Sequence, residues 1–352
     1  MVSWRRFRIG LILFLLAVGL SGLTAACQFQ ATLPDGRPAQ VNLTLVSFAL
    51  TRKAHEAIIP LFAAQWQREH QQEVRFRTSY GASGSQARAV IDGLEADIVH
   101  LSLGLDVDRI AQAGLIRPDW APQAPHNSIV TTSVCTLITR EGNPKNLHTW
   151  QDLTREGVTF VTANPKISGA ARWNFLALWG SVTQTGGTPQ EAEAFLTEVF
   201  RHVAALPRDG REATDAFLTQ GQGDALINYE SEVILARKQG KRLSYQIPQV
   251  NILIENPVAI VDKYADKHGT REVAQAYIQF LYTPQAQEVF AQYGFRPVDG
   301  TVLAAHAQEF PRVPTLFTVR DLGGWERVQA QFFAQGALFD QIQRQIQREN
   351  QA

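Results

Sequence analysis

Val74-Arg-Phe-Arg-Thr-Ser-Tyr80-Gly81-Ala82-Ser83-Gly84-Ser85 changes its period partway along. Val74 to Tyr80 reads as a strand, small residues interrupt at 81–84, and a helical period runs from Ser85 to Leu94. The same unit lies upstream. Val41 to Phe48 alternates like a strand, and Arg52 to Glu69 repeats Ala54, Ile58, Leu61, Phe62 and Trp66 at helical spacing. It recurs downstream as a short strand at Asp97 to Leu101 and a helix near Val107 to Ala113. Strands alternating with helices predict an α/β fold with a largely parallel sheet covered on both faces.

A proline-rich stretch, Pro118 to Pro125, ends this block. Ser128 to Arg140 is then β-rich and too long for one ordinary strand, so it is expected to pass between two lobes. A second series follows: a strand at 158–161, helices at 170–179, 189–205 and 214–219, a strand at 225–228 and a helix at 230–239. The extended run Asn251 to Val261 mirrors the first connector and returns the chain. Helices are expected at 271–281, at 284–292 and, as one long amphipathic element, near 325–347. The reading is two lobes, 41–125 plus 258–345 and 126–257, joined by connectors that bend to close on a ligand.

Composition narrows the function. The 352 residues are 45% hydrophobic and 19% charged, with Lys plus Arg equal to Asp plus Glu at 33 each. A globular chain without a basic excess is not expected to bind nucleic acid. Residues 1–26 read as an export signal: Arg5, Arg6 and Arg8, then the apolar run Ile9 to Leu20, then Thr24-Ala25-Ala26. That run is short for a membrane span. Leu23-Thr24-Ala25-Ala26-Cys27 resembles a lipoprotein cleavage site, except that Thr24 stands where Leu is usual. A lipid anchor at Cys27 and a free periplasmic product are therefore both open. Cys135, the only other cysteine, reads as a buried thiol, and two cysteines make no Cys-rich metal site.

Catalysis has little support. Gly81-Ala82-Ser83-Gly84-Ser85 nearly matches a nucleophile elbow, but Ser85 stands where the last glycine belongs. The eight histidines show no metal-type pair at helical spacing. An exported α/β hydrolase using Ser83 stays as the competing class, and it needs an imidazole within reach of that hydroxyl.

A different pattern recurs where a strand hands over to a helix: Ser79 to Ser85, Asn164 to Trp173, and Arg208 to Thr214. A helix start carries unpaired N–H groups and the positive end of the dipole. Glycine or alanine there leaves the backbone open to an anion. Each of Ser83, Ser168 and Asp209 also suits plain capping. Three such starts at strand ends in a hinged protein point to an anion in the cleft.

Asn164-Pro-Lys-Ile-Ser-Gly-Ala-Ala-Arg172 resembles the signature of the bacterial sulfate-binding proteins of sulfate/thiosulfate ABC importers. The likeness extends to Gly93-Leu-Glu-Ala-Asp97, Arg140-Glu-Gly-Asn-Pro-Lys145, Gly223-Asp-Ala-Leu-Ile227 and Leu322-Gly-Gly-Trp325. It spans residues 42–340 and departs at Ile167, where Ser or Thr is usual. The resemblance implies a type II periplasmic binding protein fold with the ligand in the interlobe cleft. It implies a non-catalytic, monomeric receptor that delivers sulfate to an ABC permease in the inner membrane. No cofactor or metal is implied, and thiosulfate or molybdate is the alternative ligand. Carried over by motif, the contacts are Ser83 through hydroxyl and N–H, Ser168, and the amides of Gly169, Ala170 and Gly210. Tyr229 falls where the family has an indole donor. Arg172 and Arg211 are expected behind the contacts or in salt bridges between the lobes. Asp209 and Glu230 must turn their carboxylates away from a site built only of donors.

Overall fold

The computed structural model describes residues 32–351 except 34, 35 and 37. The export signal and Cys27 lie outside the described residues. Among the described residues no helix is long and apolar enough to cross a membrane.

The first block opens with β1 (Gln40–Phe48), α1 (Arg52–His70), β2 (Glu73–Gly81), α2 (Ser83–Ile91), β3 (Ile98–His100) and α3 (Gly104–Gln112). β4 (Ile129–Ser133) follows, and one residue later β5 (Cys135–Thr139) begins in another sheet. The second block runs through β6 (Phe160–Val161), α4 (Gly169–Thr183), α5 (Pro189–Arg201) and β7 (Val203–Ala205). It continues with α6 (Gly210–Leu218), β8 (Ala225–Tyr229), α7 (Glu230–Lys238) and β9 (Ser244–Gln246). β10 (Val250–Ile252) leads into β11 (Ile254–Ile260), α8 (Asp262–His268), α9 (Arg271–Leu281) and α10 (Pro284–Gln292). The chain ends through β12 (Arg296–Pro297), α11 (Gly300–Ala305), β13 (Thr315–Phe317), α12 (Gly324–Val328) and α13 (Leu338–Glu349).

One sheet has the order β12-β4-β11-β3-β1-β2 and the other β7-β6-β8-β5-β9, with β10 and β13 forming a separate pair. β1 is parallel to β2 and β3, and β6 is parallel to β7 and β8. β11 and β5, however, run antiparallel to their neighbours, so both sheets are mixed. The β-rich run at 128–140 is two strands of different sheets, split at Val134. A strand arriving from the other block enters its sheet from the opposite end, which reverses its direction.

Three expectations need correction. The helix placed at 189–205 stops at Arg201, because Val203–Ala205 pairs with β6 at the sheet edge. The C-terminal helix is not continuous. A π turn at Gln329–Phe333 follows α12, and Gly336 adopts φ 77°, a left-handed conformation that ends the run. Finally, the sequence reading puts the C-terminal segment in the first lobe. α13 instead packs on the second block through Phe339, against Phe175 of α4 and Phe200 of α5. Lys166–Asp340 at 2.9 Å and Arg201–Glu349 at 2.8 Å tie it there. The cause is α4, which is buried throughout Gly169–Ser181. A helix buried on every side needs cover beyond its own sheet, and Phe317, Phe332 and Phe333 supply part of it.

Candidate functional site

Each sheet ends in turns that start helices, and four of those turns meet in one small recess. Ala82 and Ser83 come from the start of α2, and Ser168, Gly169 and Ala170 from the start of α4. Asp209 and Gly210 come from the start of α6, and Ser102 from the turn after β3. Ala49, beyond the end of β1, completes the wall. Ser83 and Ser168 are buried at 1% and 2% exposure, so the two lobes stand closed over them.

Among the described residues, the N–H groups of Ser83, Gly169, Ala170 and Gly210 donate to no protein acceptor. Unpaired buried N–H groups are rare and costly. Here each is at a helix start, where the ladder supplies no acceptor. The Ser168 hydroxyl oxygen caps α4 by accepting from Ala171 N at 3.4 Å, while its N–H goes to Asn164 O. Ser168 is thus left with its hydroxyl proton. Gly169 is required by the close approach: a Cβ there would stand 2.6 Å from Cβ and Oγ of Ser102.

Ser83 differs from its expected role in one respect. Its hydroxyl donates to Asp106 Oδ2 at 2.6 Å and accepts from Ser102 N at 3.0 Å. The hydroxyl proton is spent on Asp106, so Ser83 presents its N–H. Neither bond is to an imidazole, which removes the activation that a serine hydrolase needs.

Tyr229 does not line the recess. It is fully buried behind it, with its hydroxyl 2.7 Å from Ser102 Oγ. Burial pushes the phenol pKa up, so the group stays protonated. The neighbouring Asn228 donates from Nδ2 to Gly210 O at 2.7 Å and fixes the start of α6.

The charged groups stand aside. Arg172 is buried, donates from Nε to Pro165 O at 2.9 Å, and lies 4.0 Å from Asp106 of the first block, an ion pair between the blocks. Arg211 pairs with Glu232 at 2.8 Å inside the second block. Glu230 is held by Arg296 through bonds of 2.7 and 2.9 Å. The Asp209 carboxylate caps its own helix, accepting from Glu212 N at 3.0 Å. No group of three or more His, Cys, Asp or Glu among the described residues could hold a metal ion.

Ala49 and Ser102 were missed, although they obey the rule that found the other loops. Each follows a strand and precedes a helix, but no glycine stands between β1 and α1, and after β3 the glycine is Gly104, which opens α3 two residues beyond Ser102.

Two α/β lobes closed over a recess of neutral donors define a receptor for a small anion, and solved structures agree on the fold. The chain is similar to the sulfate-binding protein SubI from Mycobacterium tuberculosis, with a TM-score of 0.77 and 40% identity over 83% of this chain and 99% of that one. It also resembles a periplasmic thiamin binding protein in fold, with a TM-score of 0.66 at 15% identity over 90% of this chain and 98% of the other. The architecture is that of the type II periplasmic binding proteins.

The family model described as bacterial extracellular solute-binding protein matches residues 43–296. A sulfate-binding protein of Synechococcus elongatus is 56% identical over 89% of both chains. One of Escherichia coli is 40% identical over 92% of this chain and 98% of its own. A thiosulfate-binding protein of Pseudomonas aeruginosa is 37% identical over 84% of this chain and 90% of its own. The chain belongs to the bacterial extracellular solute-binding proteins and, within them, to the family of the sulfate-binding proteins.

Proposed function

We propose that this protein is an exported, non-catalytic receptor that holds sulfate in the recess between its lobes and presents it to an ABC permease for import. The observation that carries the reading is the set of unpaired N–H groups of Ser83, Gly169, Ala170 and Gly210 around one buried recess. With the Ser168 hydroxyl they form a shell of neutral donors, drawn from both lobes. The relatives named for sulfate support the ligand, and the family description together with residues 1–26 supports a periplasmic site of action.

Sulfate is a dianion without a proton to donate. Preorganised N–H groups at helix starts replace its water and oppose its charge with local dipoles. A protonated oxyanion would bring an O–H into a wall of donors, leaving it unpaired at a cost of about 1–3 kcal/mol. Donors from two lobes can all reach the anion only when the lobes meet, so ligand shifts the population towards the closed form. The permease would read that closed shape. The proposed lobes follow the sheets: 40–133 with 254–312, and 135–252 with the C-terminal segment.

Calorimetric titration of the mature protein with sulfate, thiosulfate, molybdate and phosphate tests this. Saturable sulfate binding with much weaker phosphate binding is expected. Phosphate bound as tightly as sulfate would overturn the donor-only site, and tighter thiosulfate or molybdate would reassign the ligand.

A further inference from the structure

Ser102 is anchored at every polar atom but one proton. Its N–H donates to Ser83 Oγ at 3.0 Å. Its carbonyl accepts from Trp173 Nε1 at 2.8 Å and from Asn256 Nδ2 at 3.3 Å. Its Oγ lies 2.7 Å from the Tyr229 hydroxyl, and the residue is 1% exposed in the wall of the recess.

The direction of that last bond follows from proton accounting. Thr131 Oγ1 donates to Asn256 Oδ1 at 3.2 Å, which turns Nδ2 towards Ser102 O and Tyr229. An amide NH2 only donates. The Tyr229 oxygen, 3.4 Å from Asn256 Nδ2, is therefore an acceptor there. Its own proton then goes to Ser102 Oγ, as expected when the more acidic phenol faces an aliphatic hydroxyl. The Ser102 proton meets no protein acceptor among the described residues, and the residue faces the recess.

We propose that the Ser102 hydroxyl is a direct donor to the bound anion and that Tyr229 positions it instead of touching the ligand. The inference rests on the sulfate reading above. Tyr229 ends β8 in one lobe and Ser102 follows β3 in the other, so the bond that orients this donor forms only on closure. An indole at position 229 would give a fixed N–H; the phenol instead passes its proton to a second hydroxyl, which becomes the contact.

The test is sulfate calorimetry on the full mature chain and on Ser102→Ala, Tyr229→Phe and the double variant, each with a melting curve taken without ligand. Ser102→Ala should weaken binding about tenfold or more. Tyr229→Phe should weaken it in the native background but change it by no more than about twofold when Ser102 is already alanine. A purely structural tyrosine would cost the same in both backgrounds. If Ser102→Ala does not fold, Ser102→Cys keeps the volume with a poor donor and should show the same loss. Sulfate affinity unchanged in the position-102 variant overturns the inference alone, as does an equal Tyr229→Phe loss in both backgrounds. No sulfate binding by the unsubstituted chain overturns the functional reading beneath it.

Discussion

The N–H of Gly84 donates to the carbonyl of Ile167 at 3.2 Å, joining the start of α2 in one lobe to the loop before α4 in the other. A Cβ on Gly84 would stand 3.0 Å from that same oxygen. The bond belongs to the closed form and uses backbone atoms on both sides. It also explains how Ile167 can replace a polar residue: the position contributes its carbonyl.

Gly84→Val should therefore weaken sulfate binding about tenfold or more by obstructing closure. The clash is with the facing loop and is relieved when the lobes part, so the ligand-free melting temperature should stay nearly constant. Calorimetry and a thermal scan check both halves. A large fall in ligand-free stability would place the effect in folding, not in closure.

Gly169→Ala should be more damaging than its single methyl suggests, because the added carbon meets Ser102 at 2.6 Å. Gly169→Asp adds a carboxylate beside a dianion and should abolish measurable sulfate binding. Retained affinity in the aspartate variant would move the anion elsewhere.

Ser83→Ala removes the partner of both Asp106 and the Ser102 N–H. The expected cost is about 1–3 kcal/mol of stability, because a buried carboxylate loses a donor. Sulfate affinity should fall as well, because the Ser102 turn loses its anchor. Urea unfolding with parallel titration measures the two effects, and neutrality in both would contradict the bonding described.

His55 and His100 are fully buried in the first lobe, with ring nitrogens 2.9 Å apart and Tyr277 2.8 Å from His55. Burial lowers both pKa values, that of His55 to about 3 and that of His100 well below its usual range, where the neighbouring His55 adds to the effect. The folded protein holds both neutral, whereas the unfolded chain protonates them near pH 6.5. Their stabilisation is thus complete above about 6.5 and is lost as pH falls towards the folded values, by up to about 1.4 kcal/mol per pH unit for each ring. Denaturant unfolding between pH 7 and 5 should show this slope, and His55→Gln should flatten it. An unchanged slope in the variant would assign the acid sensitivity to other groups.

Arg296 pairs with Glu230 across the two lobes, β12 lying in one sheet and α7 following a strand of the other. Burial raises the Glu230 pKa and the guanidinium opposes that rise. Arg296→Met should destabilise by about 3–5 kcal/mol through the stranded carboxylate. Adding Glu230→Gln should recover much of the loss, and a purely additive pair would show that the ion pair is not coupled.

Strand and helix order was legible because each element carries its own period, as β1, α1 and β2 do. The loops proposed for the anion, at 81–84, 168–170 and 210, stand out in the sequence because glycine and alanine at helix starts are local chemistry. Partners across space were not. Nothing around Ser102 marks it as the neighbour of Tyr229, and nothing in Leu338, Phe339 and Ile342 says that their stripe lies on α5.

The amino-acid order alone set the periods, the strand-to-helix turns and their open N–H groups, since these depend on residues a few positions apart. The reversed strands β5 and β11, the seat of α13, the capture of the Ser83 proton by Asp106 and the retreat of Tyr229 behind Ser102 were decided by the tertiary structure. Each depends on groups that only packing brings within hydrogen-bond or van der Waals reach.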